Sequence, residues 1–235
     1  MMTMKQIRVP FAWTVLSLLT CAAQAATPSH LYLLNGDLHD LKGGADLIAS
    51  AGGTVDNTGF NYLANKGLSF VGALGGTYTI DFSYESYELA GYRRLLDFKN
   101  GSTDNGLYSH NGYLDLYMGG PNRGAAQFST HEFKRVTISR DANTKQVHTY
   151  LDGQLQLSFL DRDDRAVFVA TGARFFMDDG GEAGPGKVDY IAFYDQALSS
   201  AEIASLTPAV PEPSSYALLA AGLLAMGTKL RRRRQ

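Results

Sequence analysis

The chain has 235 residues, of which 45% are hydrophobic and 19% are charged, and these proportions exclude an intrinsically disordered protein. Seven of the 21 basic residues but only one of the 23 acidic residues lie in the two terminal segments, which leaves the central part with a formal charge near −8. An acidic domain repels phosphate backbones, which argues against nucleic acid as a partner. The single cysteine, Cys21, lies near the N-terminus, so the central part has neither disulfides nor thiolate chemistry.

The N-terminal 25 residues have the pattern of a secretory signal peptide. Two basic residues precede an apolar stretch over 11–19, and Ala23 and Ala25 supply the small side chains that signal peptidase reads. The apolar stretch is too short to span a bilayer as a stable helix. We expect export with cleavage after Ala25. Lipoprotein processing at Cys21 is the alternative, although Thr20 is a poor residue before a modified cysteine.

The segment 27–207 is predicted to form one β-rich domain. Short stretches such as 78–84, 113–118 and 135–139 alternate between polar and apolar residues with period two, and turn signals separate them. Two hairpins are predicted at Asn111-Gly112 and Asp152-Gly153, because both central residues of such a turn need a positive φ. The pattern predicts an antiparallel β-sandwich.

One short helix is predicted at the end of this domain. Ser199 and Glu202 have the spacing of a capping box, in which each residue bonds to the backbone of the other. Pro208 ends the helix, since proline has no backbone N–H to continue it. The predicted fold class is therefore all-β, a sandwich with one short C-terminal helix.

Five segments of the domain carry a family resemblance: 32–40, 67–70, 105–108, 150–153 and 188–203. The last is the most specific, since it joins a final strand, Tyr194-Asp195 and a capped helix. Their order resembles the LamG-like family of concanavalin A-like jelly rolls. The resemblance implies a jelly-roll fold over nearly the whole domain and a role in carbohydrate or protein binding and adhesion. Some members of the wider fold are glycosidases.

Two acidic loops are candidates for a calcium site. LamG-like folds often bind calcium at a rim of the sandwich, and hard cations need six to eight oxygen ligands. The candidate ligands are Asp104, Asn105, Asp178 and Asp179. The alternative is that Asp and Asn serve as turn formers beside glycines, through hydrogen bonds to the local backbone.

Tyrosines are the candidate ligand platform, because the ring is amphipathic and suits sugar rings. The residues chosen are Tyr84, Tyr87 and Tyr92, which lie around a predicted loop, although tyrosines on sandwich strands are often structural. Glucanases of the wider fold carry Glu-x-Asp-x-x-Glu, and this chain lacks that motif. The chain also lacks a nucleophile elbow, a phosphate loop and a zincin motif, so we predict that it is not an enzyme.

The segment 208–235 combines a proline-rich linker, an apolar run over 216–227 and a basic end over 229–234. Its central motif is Val210, Pro211, Glu212, Pro213 and Ser214. These parts in this order resemble the PEP-CTERM sorting domain of Gram-negative bacteria. The resemblance implies an exosortase-type membrane protease as a partner, besides signal peptidase. It also implies a brief stay in the inner membrane through 216–227. A permanent membrane anchor is the alternative.

These features predict an exported surface or matrix protein with a LamG-like binding domain. Its expected ligand is a polysaccharide or a surface protein in an exopolysaccharide biofilm matrix. Two alternatives stay open. One is a structural matrix component without a specific ligand, and the other is a glycoside-active enzyme.

Overall fold

The structure, a computed structural model, describes residues 26–206. The predicted signal cleavage residues Ala23 and Ala25 lie outside the described residues. So do the sorting motif at 210–214 and the apolar run at 216–227. Within 26–206 no helix combines the length and the apolar character that crossing a bilayer requires.

The described residues form short strands followed by one helix. The strands are β1 (His30–Tyr32), β2 (Ile48–Ala49), β3 (Thr54–Asp56), β4 (Gly59–Tyr62), β5 (Leu68–Phe70), β6 (Tyr78–Ser86), β7 (Tyr92–Asp97), β8 (Gly106–His110), β9 (Tyr113–Tyr117), β10 (Arg123–Gln127), β11 (Lys134–Arg140), β12 (Gln146–Leu151), β13 (Gln154–Leu160), β14 (Ala173–Phe175) and β15 (Gly186–Tyr194). The helix is α1 (Ser200–Ser205).

The strands build two antiparallel sheets, which confirms the predicted sandwich. The first sheet has the order β13-β12-β11-β6-β15-β4-β3, with β1 also paired to β15. The second has the order β10-β9-β8-β7-β14-β5-β2. Strands that are neighbours in space are often distant in sequence, as the pairing of β6 with β15 shows.

The apolar faces of the two sheets form the core. On β6, the side chains of Tyr78, Ile80, Phe82 and Tyr84 are all buried in it, as the period of two predicts. Phe82 contacts Phe175 of the second sheet edge to face, with ring centroids 5.9 Å apart. This contact joins the middle of one sheet to the middle of the other.

Helix α1 covers the outer face of the first sheet. Ser199 and Glu202 form the predicted capping box, and Ile203 packs with Tyr150 and Tyr190 of the sheet. Beneath the helix, Asp81 accepts hydrogen bonds from Thr137 (2.5 Å) and Tyr190 (2.7 Å). Burial raises the pKa of the Asp81 carboxyl. This face is therefore closed by the domain's own C-terminal segment.

Candidate functional site

A small pocket opens on the outer face of the second sheet, and we call it the tyrosine pocket. Its volume is about 110 Å³. Three tyrosines and two carboxylates line it: Tyr92, Tyr108, Tyr117, Asp104 and Glu182. Tyr92, Tyr117 and Glu182 are half-buried, Tyr108 is buried and Asp104 is exposed. The pocket thus combines aromatic walls with negatively charged groups.

Strand register places the three tyrosines on one face. Tyr92 on β7 lies opposite His110 on β8, and Tyr108 is two residues from His110. The β8–β9 hairpin then sets Tyr117 opposite Gly106. Since side chains alternate along a strand, all three rings point away from the core. Gly106 is needed there, because a Cβ at this position would lie 2.8 Å from a backbone oxygen and 3.1 Å from the Tyr108 ring.

The three rings meet almost at right angles. The Tyr92 centroid lies 5.6 Å from that of Tyr108 and 6.0 Å from that of Tyr117, with interplanar angles of 83° and 81°. Tyr108 and Tyr117 are 6.3 Å apart at 74°. His110 stacks on Tyr92 with centroids 3.8 Å apart, which fixes that ring from the side. Edge-to-face contacts of this kind hold each ring in one orientation.

Arg94 supports the pocket and is fully buried. Its guanidinium donates to the hydroxyl oxygen of Tyr108, and the Tyr108 hydroxyl donates to the backbone carbonyl of Asp104 at 3.0 Å. Arg94 Nε also lies 2.9 Å from Asp178 Oδ1, as a charge contact without hydrogen-bond alignment. Burial acts to lower the pKa of Arg94, but Tyr108 and Asp178 raise that pKa above its usual value. Arg94 therefore stays charged and holds Tyr108 in place.

The loop after β14 brings Glu182 to the pocket. The Asp178 carboxylate accepts the backbone N–H groups of Gly180 (2.8 Å) and Glu182 (3.1 Å), which folds the loop into a turn. The Glu182 carbonyl then accepts the backbone N–H of Arg94 at 2.7 Å. Burial raises the pKa of Asp178, but these backbone N–H groups and Arg94 lower that pKa overall. Main-chain contacts position Glu182, and its carboxyl group faces the pocket.

Burial and neighbouring carboxylates together raise the pKa values of two groups of the pocket. Burial raises the pKa of Glu182, and the carboxylates of Asp178 and Asp104 raise it further. Burial also raises the pKa of Tyr92, with further contributions from Asp115 and Glu182. Both groups therefore hold their protons more tightly than they would in water.

The structure brings the predicted calcium loops together around Arg94. Asp104 and Asp179 lie 3.6 and 3.7 Å from its guanidinium, in addition to the contact with Asp178. The backbone N–H of Asn105 donates to Thr103 Oγ1 at 3.2 Å, and within the described range no group of three or more His, Cys, Asp or Glu side chains has the arrangement of a metal site. The donor set does not fit a calcium centre, since the Arg94 guanidinium occupies the space among Asp104, Asp178 and Asp179 where Ca²⁺ would need six to eight oxygen ligands.

The predicted tyrosine platform needs correction. Tyr84 is only 1% exposed and packs on Phe128 and Phe176, because its strand position points into the core. Tyr87 is 36% exposed and stacks on His131, with centroids 4.9 Å apart. Tyr92 lines the tyrosine pocket. The three residues therefore belong to three different environments and do not form one surface.

Sequence reasoning did not single out Arg94, Tyr108, Tyr117 or Glu182. The alternation of β8 and β9 placed Tyr108 and Tyr117 on strands, but their meeting with Tyr92 depends on the pairing of β7 with β8. The Asn111-Gly112 turn was the available signal for the closeness of Tyr108 and Tyr117, because its two-residue length fixes the register of the β8–β9 hairpin. No signal in the sequence indicated the β7–β8 pairing.

A larger groove lies beside α1 on the other sheet. Its volume is about 360 Å³, and its walls come from β11, β12 and the segment before the helix. Tyr150 is the tyrosine in its lining, is buried, and has its hydroxyl bonded to Ser200 at 3.0 Å. The half-buried His148 is the other ring of the lining, so the groove is mainly polar.

Comparisons with known proteins concern the two parts of the chain separately. A family model described as the PEP-CTERM protein-sorting motif matches residues 209–234. The tail carries a sorting motif. This motif indicates an exported protein that is sorted to the cell surface. No curated protein matches the chain in sequence.

Solved structures resemble the sandwich at low sequence identity. Trypanosoma rangeli sialidase has a TM-score of 0.61 at 18% identity, and the match covers 75% of this chain and 32% of the sialidase. The chain therefore spans about a third of that enzyme. Domain 4 of AbnA, a GH43 extracellular arabinanase from Geobacillus stearothermophilus in complex with arabinotriose, has a TM-score of 0.60 at 15% identity. That match covers 79% of this chain and 100% of the domain. These likenesses show the fold alone, are consistent with a concanavalin A-like sandwich, and leave LamG membership a prediction.

Proposed function

We propose that this protein is a non-enzymatic component of the cell surface or extracellular matrix whose sandwich binds polysaccharide at the tyrosine pocket. The observation that carries the proposal is the convergence of three tyrosine rings and two carboxylates on one pocket at the surface. Tyrosine rings contact the substituents of sugars through their amphipathic surface, and carboxylates accept hydrogen bonds from sugar hydroxyls.

The pocket is organised before a ligand arrives, which favours binding. Arg94 and His110 hold the rings, and backbone hydrogen bonds of the loop after β14 hold Glu182. Groups that are already ordered lose little conformational entropy on binding, so more of the contact energy appears as affinity. The likeness to an arabinanase domain crystallised with arabinotriose supports a sugar ligand.

We also propose a route by which the protein reaches the surface, and the sequence of the tail supports it. An exosortase-type protease cleaves the chain near Pro211, Glu212 and Pro213, after a brief stay of residues 216–227 in the inner membrane. The released protein then enters an exopolysaccharide matrix. The apolar run is short for a permanent span, which favours processing over anchoring.

A polysaccharide array tests the proposed ligand class. Purified protein is expected to bind at least one polysaccharide on the array. Adhesion to proteins with no binding to any polysaccharide would overturn the proposal and favour protein adhesion. A melting curve at millimolar calcium is a useful companion, because an unchanged melting temperature agrees with the poor fit of the Arg94 cluster to that ion.

A further inference from the structure

The tyrosine pocket has the size of a functional group rather than of a sugar ring. Sites for drug-sized ligands occupy about 300 to 1,000 Å³, whereas this pocket has a volume of about 110 Å³. Its perpendicular rings also offer no flat area on which a pyranose could lie. One substituent of a larger ligand therefore enters the pocket, and the rest of the ligand stays outside.

The rings form a cage that suits a cation. A positive group interacts with an aromatic face within about 6 Å of the ring centroid. The Tyr108 ring already has the Arg94 guanidinium over it, 5.0 Å from its centroid, so the rings left for a ligand are Tyr92 and Tyr117, whose centroids lie 6.0 Å apart. Several aromatic rings around one small space are the arrangement that proteins use for organic ammonium groups.

The charges around the cage favour a positive ligand independently of the rings. Three guanidinium groups lie near the pocket, those of Arg94, Arg123 and Arg174, and Arg94 and Arg174 contact or lie beside five carboxylates. These carboxylates belong to Asp97, Asp104, Asp178, Asp179 and Glu182. Beneath the Tyr92 wall, the fully buried Asp115 has one oxygen without a hydrogen-bond partner among residues 26–206, 3.5 Å from His110. The local balance is therefore negative.

We propose that the tyrosine pocket binds the protonated amino group of an amino sugar, so that the sandwich recognises a partly deacetylated, cationic polysaccharide. This rests on the proposed polysaccharide-binding function and names its ligand class. An uncharged N-acetyl group loses the attraction to the carboxylates, and an acidic sugar is repelled by them.

The test compares four probes by NMR of ring-labelled tyrosines in the full chain. The probes are oligomers of glucosamine, oligomers of N-acetylglucosamine, a uronic acid oligomer and tetramethylammonium chloride, each at constant ionic strength. The glucosamine oligomer and tetramethylammonium are expected to shift the resonances of Tyr92 and Tyr117. The glucosamine oligomer is expected to bind about tenfold more tightly than its N-acetyl counterpart. A ratio of this size is expected for one desolvated cation–π contact beside carboxylates.

Two charge-neutral variants assign the effect to the pocket. E182Q and D104N are expected to weaken glucosamine binding about fivefold each, and they leave the backbone contacts of both residues intact. E132Q removes an exposed carboxylate of another loop as the matched control, and it is expected to bind like the wild type.

The outcomes separate this inference from the proposed function. Equal binding of the glucosamine and N-acetyl oligomers overturns the inference and leaves polysaccharide binding in place. Binding of tetramethylammonium without any of these sugars supports the cation cage but overturns the assignment of an amino sugar as its ligand. If no probe shifts the tyrosine resonances, the inference is wrong, and the polysaccharide array decides the proposed function separately.

Discussion

Arg94 is the residue that connects the fold to the pocket. Its guanidinium pairs with Asp178 and donates to Tyr108, and its backbone N–H donates to the Glu182 carbonyl in the loop after β14. A buried charge is destabilising unless its counter-charge stays in place. Arg94 and Asp178 therefore each need the other. One residue therefore holds a ring and a carboxylate through its side chain and a loop through its backbone.

Replacing Arg94 with methionine is expected to lower the free energy of unfolding by about 3 to 5 kcal/mol, since Asp178 loses its buried counter-charge. Urea denaturation measures the change, and R162M, at an exposed position, is the control. The lowered pKa of Asp178 gives the wild type stability above the carboxyl's ordinary pKa, and this stability is lost as the pH falls through the lowered value.

Without Arg94, the buried Asp178 carboxyl binds a proton more readily. The loss in free energy of unfolding of R94M should therefore be smaller at pH 4 than at pH 7. A deficit that does not change with pH would show that Arg94 acts through packing alone.

At the scale of elements, the β8–β9 hairpin positions the pocket, and this part of the structure could be predicted. Asn111 and Gly112 adopt φ values of 53° and 80°, as the turn requires. The sandwich, both hairpins and the capped helix follow from such local signals. The pocket does not, because Tyr92 and Tyr117 meet through strand pairing, and Arg94 was indistinguishable in sequence from an exposed arginine.

Substitution of Gly112 by alanine is expected to lower stability by about 1 kcal/mol or more, because alanine is strained at positive φ. Its Cβ would also lie 2.7 Å from the Phe128 carbonyl oxygen. Gly153 has a similar φ of 78° in the β12–β13 hairpin of the other sheet, so G153A is the matched control. Both variants should melt at lower temperature, but G112A alone should weaken ligand binding, as titration calorimetry will show. Equal weakening by G153A would contradict the role of this hairpin.

At the scale of the whole molecule, few residues separate the end of the sandwich from the sorting motif. Arg135 donates to the carbonyl oxygens of Ile203 (2.9 Å) and Leu206, which ties the end of α1 to the first sheet. The motif match begins at residue 209. Pro211 is five residues beyond Leu206, so even a fully extended chain puts it at most about 18 Å from the sandwich.

Changing Glu212 to alanine is expected to block processing, so that the full tail is retained and the protein stays with the inner membrane fraction. Mass spectrometry and cell fractionation measure this, with T207A outside the motif as control. Normal release of E212A with the mass of the processed wild type would show that the motif is not the cleavage signal.

The central claim, that the tyrosine pocket binds polysaccharide, is tested most directly by titrating matrix polysaccharide from the producing cells into Y117A and Y87A. Tyr117 lines the pocket, whereas Tyr87 is a partly exposed tyrosine stacked on His131 elsewhere. Y117A is expected to bind at least tenfold more weakly, the loss expected for about 1.4 kcal/mol of ring contact, while Y87A binds like the wild type and both stay folded. Equal affinity of Y117A and the wild type would contradict it.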